Sequence, residues 1–168
     1  MAKVVFKLGD DISTDIIYPG RFMATVLPSE TPQYAFADNA DFNAKVRKKE
    51  FAPGSVIVAG KNFGCGSSRE QAASCLKGPD FVVVARNFAR IFLQNSINLG
   101  LKMVICPDIE ANEADELEIG AERVVNKSSG KSFAVTPLPK ARQAIIDAGG
   151  LIPFTRKRME EGKKNQLG

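Results

Sequence analysis

Short apolar runs, each bounded by turn residues, recur along the chain. Three of them occupy residues 55–59 (SVIVA), 81–85 (FVVVA) and 102–106 (KMVIC). Runs of this length without polar alternation are typical of strands buried on both faces of a parallel sheet. A fourth run at residues 4–8 (VVFKL) predicts a first strand that ends in the turn residues Gly-Asp-Asp.

Segments with helical periodicity separate these runs. Residues 68–77 suit a helix that ends before Gly-Pro, residues 88–99 carry apolar side chains at helical spacing, and residues 140–148 precede Gly-Gly. Two strand-like segments around residues 128–130 (SSG) predict a hairpin, and therefore a β-rich excursion near residues 122–136. The alternation predicts one α/β domain over residues 1–168, with a mostly parallel sheet flanked by helices.

Two segments lack a strong pattern. Residues 19–43 contain three prolines and scattered polar groups, which predict a long flexible loop with at most short helical turns. The end of the chain, at about residues 160–168, is expected to be a mobile tail. The basic residues at 156–158 and 163–164 favour a solvated helix end over a nucleic-acid surface, since no aromatic side chains are interleaved with them.

The amino-acid composition limits the reactions and the metal sites that this chain can support by itself. The chain has no histidine, so it cannot form a Ser–His or Cys–His nucleophile pair by itself. Its three cysteines have neither disulfide-framework nor cluster spacing, which predicts reduced thiols in a cytoplasmic protein and no metal bound by this chain. We see no signal-peptide pattern at the start and no apolar run long enough to cross a bilayer.

The glycine loop, residues 64–69 (GCGSSR), follows a strand and precedes a helix. Backbone amides at such a position can bind an anion, and an arginine can clamp a carboxylate or phosphate. The loop lacks the third glycine of a dinucleotide fingerprint and the Lys-Ser/Thr ending of a phosphate loop. Its residues leave two interpretations open: an anion site, or a tight turn with a serine cap on the helix.

In combination, four segments resemble the swivelling domain of the aconitase superfamily in its small-subunit form. They are residues 9–19 (GDDISTDIIYP), 62–70 (NFGCGSSRE), 87–98 (NFARIFLQNSIN) and 149–154 (GGLIPF). The resemblance covers almost the whole chain. It implies a cluster-free small subunit whose serine loop closes on a substrate held by a large subunit with a [4Fe–4S] cluster.

The resemblance also implies roles for individual residues. Ser67 is expected to be the catalytic base and Asp15 an active-site carboxylate, while Ser68, Arg69 and Arg21 are expected to bind substrate carboxylates. The stretch after Pro19 corresponds to the family's substrate-recognition loop and comprises Phe22, Met23, Ala24, Thr25 and Val26. Two departures stand out: Gln71 occupies a position where many members have histidine, and this loop differs from the Tyr-Leu-Arg-Thr-like stretch frequent in leucine-pathway members.

The implied activity is a hydro-lyase of the 3-isopropylmalate dehydratase type, acting in leucine biosynthesis and only with its large subunit. The small-molecule substrate would be a di- or tricarboxylate. Apolar residues in the recognition loop favour an alkyl arm, although homoaconitase or another alkyl-malate dehydratase, such as one for dimethylmalate, would need only loop changes. A module that binds an anion or RNA is the non-enzyme alternative, and it lacks aromatic stacking platforms.

Overall fold

The apolar runs form the middle of one seven-stranded sheet in the computed structural model, which describes residues 1–167. The strands are β1 (Ala2–Lys7), β2 (Val56–Ala59), β3 (Val82–Ala85), β4 (Lys102–Ile105), β5 (Glu116–Ile119), β6 (Arg123–Asn126) and β7 (Ser132–Ala134). Their order across the sheet is β4-β3-β2-β1-β5-β6-β7. Strands β1 to β4 pair in parallel, whereas β5 to β7 add an antiparallel half next to β1.

The helices lie between these strands and after them. They are α1 (Thr14–Ile17), α2 (Ala40–Arg47), α3 (Glu70–Lys77), α4 (Arg90–Leu99), α5 (Lys140–Asp147) and α6 (Leu151–Leu167), with two 3-10 turns at Gly20–Phe22 and Thr31–Tyr34. The prediction of an α/β domain with a parallel core and a late β-rich excursion is confirmed.

Alternation along the parallel strands divides the core into two layers. On one face, residues such as Ile57, Val83 and Met103 pack against aromatic side chains from the helices and loops, including Phe36 and Phe92. The opposite face has a smaller apolar layer, covered where the sheet curls back through its antiparallel half; its members include Val56, Val58, Val84, Ile109, Leu117 and Val124. The short strand β2 is buried along its whole length and contributes residues to both layers.

The two segments that lack a strong sequence pattern contain regular structure. The loop over residues 19–43 contains both 3-10 turns and the start of α2, and it sends the side chains of Phe36 and Phe42 into the core. The end of the chain is helical through Leu167, although none of the side chains of α6 is buried. Sequence reasoning missed α2 and β5. No helix within residues 1–167 combines the length and apolar character needed to cross a membrane.

Gly100 gives a direct test of how α4 is joined to the rest of the fold. It ends α4 with φ +76°, and a Cβ added there would lie 2.3 Å from the carbonyl carbon of Gly149. We expect Gly100→Ala to lower the free energy of unfolding by about 2–4 kcal/mol, because strain and a backbone clash act together.

Gly130 supplies the matched control. Its φ is also +76°, but a Cβ there would meet nothing within 4 Å. Gly130→Ala should therefore cost about 1 kcal/mol, from backbone strain alone. Urea unfolding of both variants measures the difference, and equal losses would contradict the packing proposed between Gly100 and Gly149.

Candidate functional site

The glycine loop is held by hydrogen bonds that continue the pairing of β2 beyond its end. Towards β1, the Gly64 amide donates to the Ile12 carbonyl at 2.7 Å, and the Thr14 amide donates to the Cys65 carbonyl at 2.7 Å. Towards β3, the segment 86–89 makes three backbone bonds to the residues that lead into the loop. The loop therefore starts from a fixed backbone at the carboxyl edge of the parallel strands.

Glycine is required inside this loop for two different reasons. Gly64 and Gly66 have φ values of +85° and +100°, which side chains rarely adopt. A Cβ on Gly64 would also lie 2.2 Å from the ring of Phe92, so α4 packs directly against the loop backbone. The loop reaches its position because these two residues carry no side chain.

Ser67 lies on the exposed side of the loop, next to a buried threonine. Its Oγ is 3.2 Å from Oγ1 of Thr14, and its backbone amide donates to the same Oγ1 at 3.1 Å. Thr14 is only 2% exposed. The carbonyl of the neighbouring Ser68 accepts a hydrogen bond from the Asn95 side chain at 3.2 Å, which ties this part of the loop to α4. Ser67 is thus open to solvent on one side and fixed on the other.

Arg69 and Asp15 form an ion pair across the two segments. One guanidinium nitrogen, Nη1, donates to Oδ1 of Asp15 at 2.6 Å and to the Tyr18 carbonyl at 3.0 Å. The same carboxylate oxygen accepts from the Gly20 amide at 2.9 Å. The Arg69 guanidinium and the Gly20 amide hold the pKa of the Asp15 carboxyl below its ordinary value. Within residues 1–167, Nη2 and Nε of Arg69 have no acceptor, so they remain available to a ligand.

The start of α3 bears on the two interpretations of the glycine loop. Arg69 occupies the N-cap position and makes no side-chain cap bond, so the alternative of a serine cap is wrong. Within the described part of the chain, the amides of Ser68 and Arg69 donate to no protein acceptor. Free amides beside an arginine at the start of a helix favour binding of a carboxylate or another anion.

The buried side chain of Tyr18 anchors the recognition loop. The Tyr18 hydroxyl donates to the carbonyls of Phe22 and Thr25, at 3.0 and 3.2 Å. Burial raises the pKa of Tyr18, so this hydroxyl keeps the proton it donates. Gln71 adds a third anchor by donating to the Met23 carbonyl at 3.2 Å. The conformation of this loop therefore depends on residues outside it.

The side chains of the recognition loop point in different directions. Phe22 stacks on Tyr34 with ring centroids 4.1 Å apart, so this predicted recognition residue packs partly into the core. Arg21 pairs with Asp38 at 2.6 Å, and its guanidinium lies over the Phe22 ring. Met23, Ala24 and Val26 are exposed, whereas Thr25 is half-buried and contributes its carbonyl to Tyr18.

The cysteines and clefts of the chain lie in several different places. Within residues 1–167, no group of three His, Cys, Asp or Glu residues lies close enough to hold a metal ion. All three cysteines are free, and burial raises the pKa of Cys75 and brings that of Cys106 to about 11. A cleft of about 760 Å³ adjoins the glycine loop beside Gln94 and Arg142. A larger cleft of about 1080 Å³ lies at the other end of the strands, beside Lys3 and Lys102, away from the residues described here.

The structure brings together Ser67, Ser68, Arg69 and Asp15, as the motifs predicted. Sequence reasoning did not assign roles to Thr14, Gln71 or Asn95, which hold the loop or its neighbour in place. The sequence did contain a signal for Thr14, because polar side chains are dense in residues 10–15. A density of polar residues cannot show which hydroxyl faces the loop 53 positions later.

Several known proteins resemble this chain in sequence and in fold. A family model described as the aconitase C-terminal domain matches residues 11–107. The 3-isopropylmalate dehydratase small subunit of Thermodesulfovibrio yellowstonii is 40% identical over 161 residues, covering 92% of this chain and 93% of that protein. The isopropylmalate/citramalate isomerase small subunit of Methanocaldococcus jannaschii is 41% identical over 165 residues, covering 95% of each. A crystal structure of 3-isopropylmalate dehydratase from the same organism superposes with a TM-score of 0.87, at 36% identity and 97% coverage of both chains.

The ion pair between Asp15 and Arg69 makes a titration prediction. Because the folded-state pKa of Asp15 is lowered, the pair is present above the ordinary pKa of an aspartate, near 3.9, and is lost as the pH falls through the lower folded value. Carboxyl NMR should therefore give Asp15 a pKa below that of unpaired surface aspartates. Arg69→Gln should return this pKa towards the ordinary value, because it removes the main donor.

Arg21→Gln is the matched control for this titration. Arg21 bonds Asp38 and contributes only a weak long-range charge effect at Asp15. An equal rise of the Asp15 pKa in both variants would contradict the specific contact with Arg69.

Proposed function

Because the chain belongs to the aconitase C-terminal domain family, we propose that it serves as the small subunit of a hydro-lyase. Within that family it belongs with the 3-isopropylmalate dehydratase small subunits. The enzyme would interconvert 2-isopropylmalate and 3-isopropylmalate by dehydration and rehydration, in leucine biosynthesis. The observation that carries this proposal is the exposed Ser67, fixed by Thr14, beside an arginine that Asp15 holds in place.

Ser67 is the proposed base. As an alkoxide, its Oγ takes the proton from the carbon next to a substrate carboxylate, and the released electron pair forms the double bond as the hydroxyl group leaves the adjacent carbon. The leaving hydroxide would be taken up by an acid or Lewis acid of the partner subunit. In the return step hydroxide adds to the carbon that lost the proton, and Ser67 gives its proton to the other carbon, which moves the hydroxyl group and restores the alkoxide. A serine alkoxide requires fixed hydrogen-bond donors in a site from which water is excluded.

Arg69 is the proposed carboxylate clamp. Its Nη1 is engaged by Asp15 and Tyr18, so the planar guanidinium is oriented while Nη2 and Nε keep their protons for a ligand. Ser68 would assist with its hydroxyl and its free amide. Asp15 then acts through Arg69, as a positioning residue. Arg21 is paired with Asp38 in the isolated chain, so the geometry does not support its expected role in carboxylate binding.

A large subunit is needed to complete this site. Ser67, Ser68 and Asp15 are exposed in the isolated chain, and the chain has no histidine to act as the proton donor. Exposed apolar side chains lie on the neighbouring α1 and recognition loop, namely Ile16, Met23, Val26 and Leu27. Such a patch beside an open site suits a protein partner. We assign the [4Fe–4S] cluster, which would supply a Lewis acid, to that partner, because no group in the described chain fits it.

The recognition loop supports an alkyl-substituted substrate. Its exposed side chains next to the site, Met23, Ala24 and Val26, are apolar, and an apolar pocket discriminates against a charged third arm. Homoaconitase-type or other alkyl-malate substrates remain the alternative within the same chemistry. The free thiols support an assignment to the cytoplasm.

Replacing Ser67 tests the assignment of the base. In a complex with a matching large subunit and a reconstituted cluster, Ser67→Ala should lower kcat by about 10²–10⁴-fold with little change in KM, because the substrate contacts remain. Ser132→Ala, an exposed serine on β7, is the control and should retain full turnover. A loss below tenfold for Ser67→Ala would mean that another group takes the proton.

A substrate panel tests the recognition loop. With the wild-type complex, kcat/KM should be higher for isopropylmalate than for a homocitrate-type tricarboxylate, because the exposed loop side chains offer no cation for the third carboxylate except Arg21, which is paired. Citramalate serves as the control with a small alkyl arm. A preference for the tricarboxylate would overturn the alkyl assignment and leave the hydro-lyase chemistry in place.

A further inference from the structure

Thr14 is the one buried polar side chain in direct contact with Ser67 within the described residues. Its Oγ1 accepts from the Ser67 amide at 3.1 Å and lies 3.2 Å from the Ser67 hydroxyl, while its own amide donates to the Cys65 carbonyl at 2.7 Å. Three hydrogen bonds thus connect one residue at the start of α1 to both sides of Gly66. We propose that Thr14 is a positioning residue for Ser67. The Thr14 hydroxyl donates its proton in a hydrogen bond to the Ser67 oxygen and so stabilises the charged form of Ser67.

When Ser67 is an alkoxide, only the Thr14 hydroxyl carries a proton, and this fixes the direction of the hydrogen bond between the two oxygens. Thr14 Oγ1 already accepts one hydrogen bond, from the Ser67 amide, and its hydroxyl has one proton to give. When Ser67 is an alkoxide it has no proton, so the only bond that can survive between the two oxygens is donated by Thr14. A bond from a hydroxyl to an oxyanion is shorter and stronger than a neutral one, so the contact should tighten as Ser67 loses its proton.

Burial makes this contact effective. Thr14 is 2% exposed, so water does not compete for its hydroxyl, whereas Ser67 faces the side on which substrate would arrive. Thr14 keeps its proton throughout and takes no part in the transfer. Its contribution is to fix the Ser67 backbone and side chain and to supply a donor that is already oriented before the reaction.

The inference depends on the proposed role of Ser67, but its first test needs neither substrate nor large subunit. In the isolated full chain, Ser67→Cys places a titratable thiol at the same position, and Cys65→Ala removes the neighbouring half-buried thiol. The other two cysteines are buried, and the pKa of Cys106 is about 11, so they react slowly. The rate of iodoacetamide alkylation against pH then reports the pKa of the introduced thiol.

In this background we expect Thr14→Val to raise the thiol pKa by about one unit, because it deletes a hydrogen bond to the charged form. Alkylation at pH 7 should slow by about tenfold. Thr14→Ser keeps the hydroxyl and should keep the pKa. Ser13→Ala is the structural control, since the Ser13 hydroxyl caps α1 through the Ile16 amide and does not contact Ser67. Circular dichroism verifies the fold, and Thr14→Ala replaces the valine variant if that one unfolds.

The second readout is turnover of the reconstituted complex. Thr14→Val should lower kcat by about 10-fold or more with little change in KM, Thr14→Ser should restore it, and Thr14→Val combined with Ser67→Ala should be no slower than Ser67→Ala alone. An unchanged thiol pKa in Thr14→Val, or an equal shift in Ser13→Ala, would overturn the inference. A clear pKa shift without any hydro-lyase activity would retain the contact with Thr14 and reject the proposed function instead.

Discussion

The backbone ladder that continues β2 past its last residue is the constraint on which the site depends. Parallel strands end at a common edge, and here both neighbours of β2 keep pairing with it as it turns into the glycine loop. The bond from Gly64 uses an amide that a free phosphate-binding loop would offer to its ligand. Within the described residues, the amides of Ser68 and Arg69, just after the ladder ends, donate to no protein acceptor, and neither do those of Cys65 and Gly66. The proposed anion site therefore lies where strand pairing stops.

The same constraint bears on the proposed site as a whole. The carbonyl of Ser68 is fixed by α4, Ser67 by Thr14 and Arg69 by Asp15, yet Ser67, Ser68 and Asp15 are exposed to water. Water weakens an exposed ion pair and hydrates an alkoxide, so the isolated chain gains little from this order. A partner that covers the face would exclude water and strengthen every one of these contacts without moving them. This chain would thus supply residues that hydrogen bonds already orient, and the partner would exclude water from them.

Sequence patterns predicted those elements whose formation depends on neighbouring residues in the chain. Wholly apolar runs predicted three of the parallel strands, and Gly100 marked the end of α4 because only a residue tolerant of positive φ fits there. Strand β5 was missed since it is four residues long, and α2 was missed because prolines before it suggested a continuous loop. The extent of α6 was not predicted for a related reason: α6 has no buried face, and its helix depends on helix-forming residues such as Glu and Lys instead of an apolar stripe. Contacts across 53 positions, such as Thr14 with Ser67, leave no periodic trace.

The proposed role of the recognition loop in specificity depends on how that loop is anchored. Its carbonyls accept hydrogen bonds from Tyr18, at the end of α1, and from Gln71, in α3. Phe22 is the loop residue whose side chain also packs into the core. Backbone anchoring is indifferent to side-chain identity, so the exposed positions Met23, Ala24 and Val26 can change without unfolding the loop. The substrate's variable arm would meet those positions, whereas its shared carboxylate would meet Arg69 on the other side of Asp15. One scaffold can thus keep the same proton chemistry while its loop accepts different arms, because the two tasks depend on separate sets of hydrogen bonds.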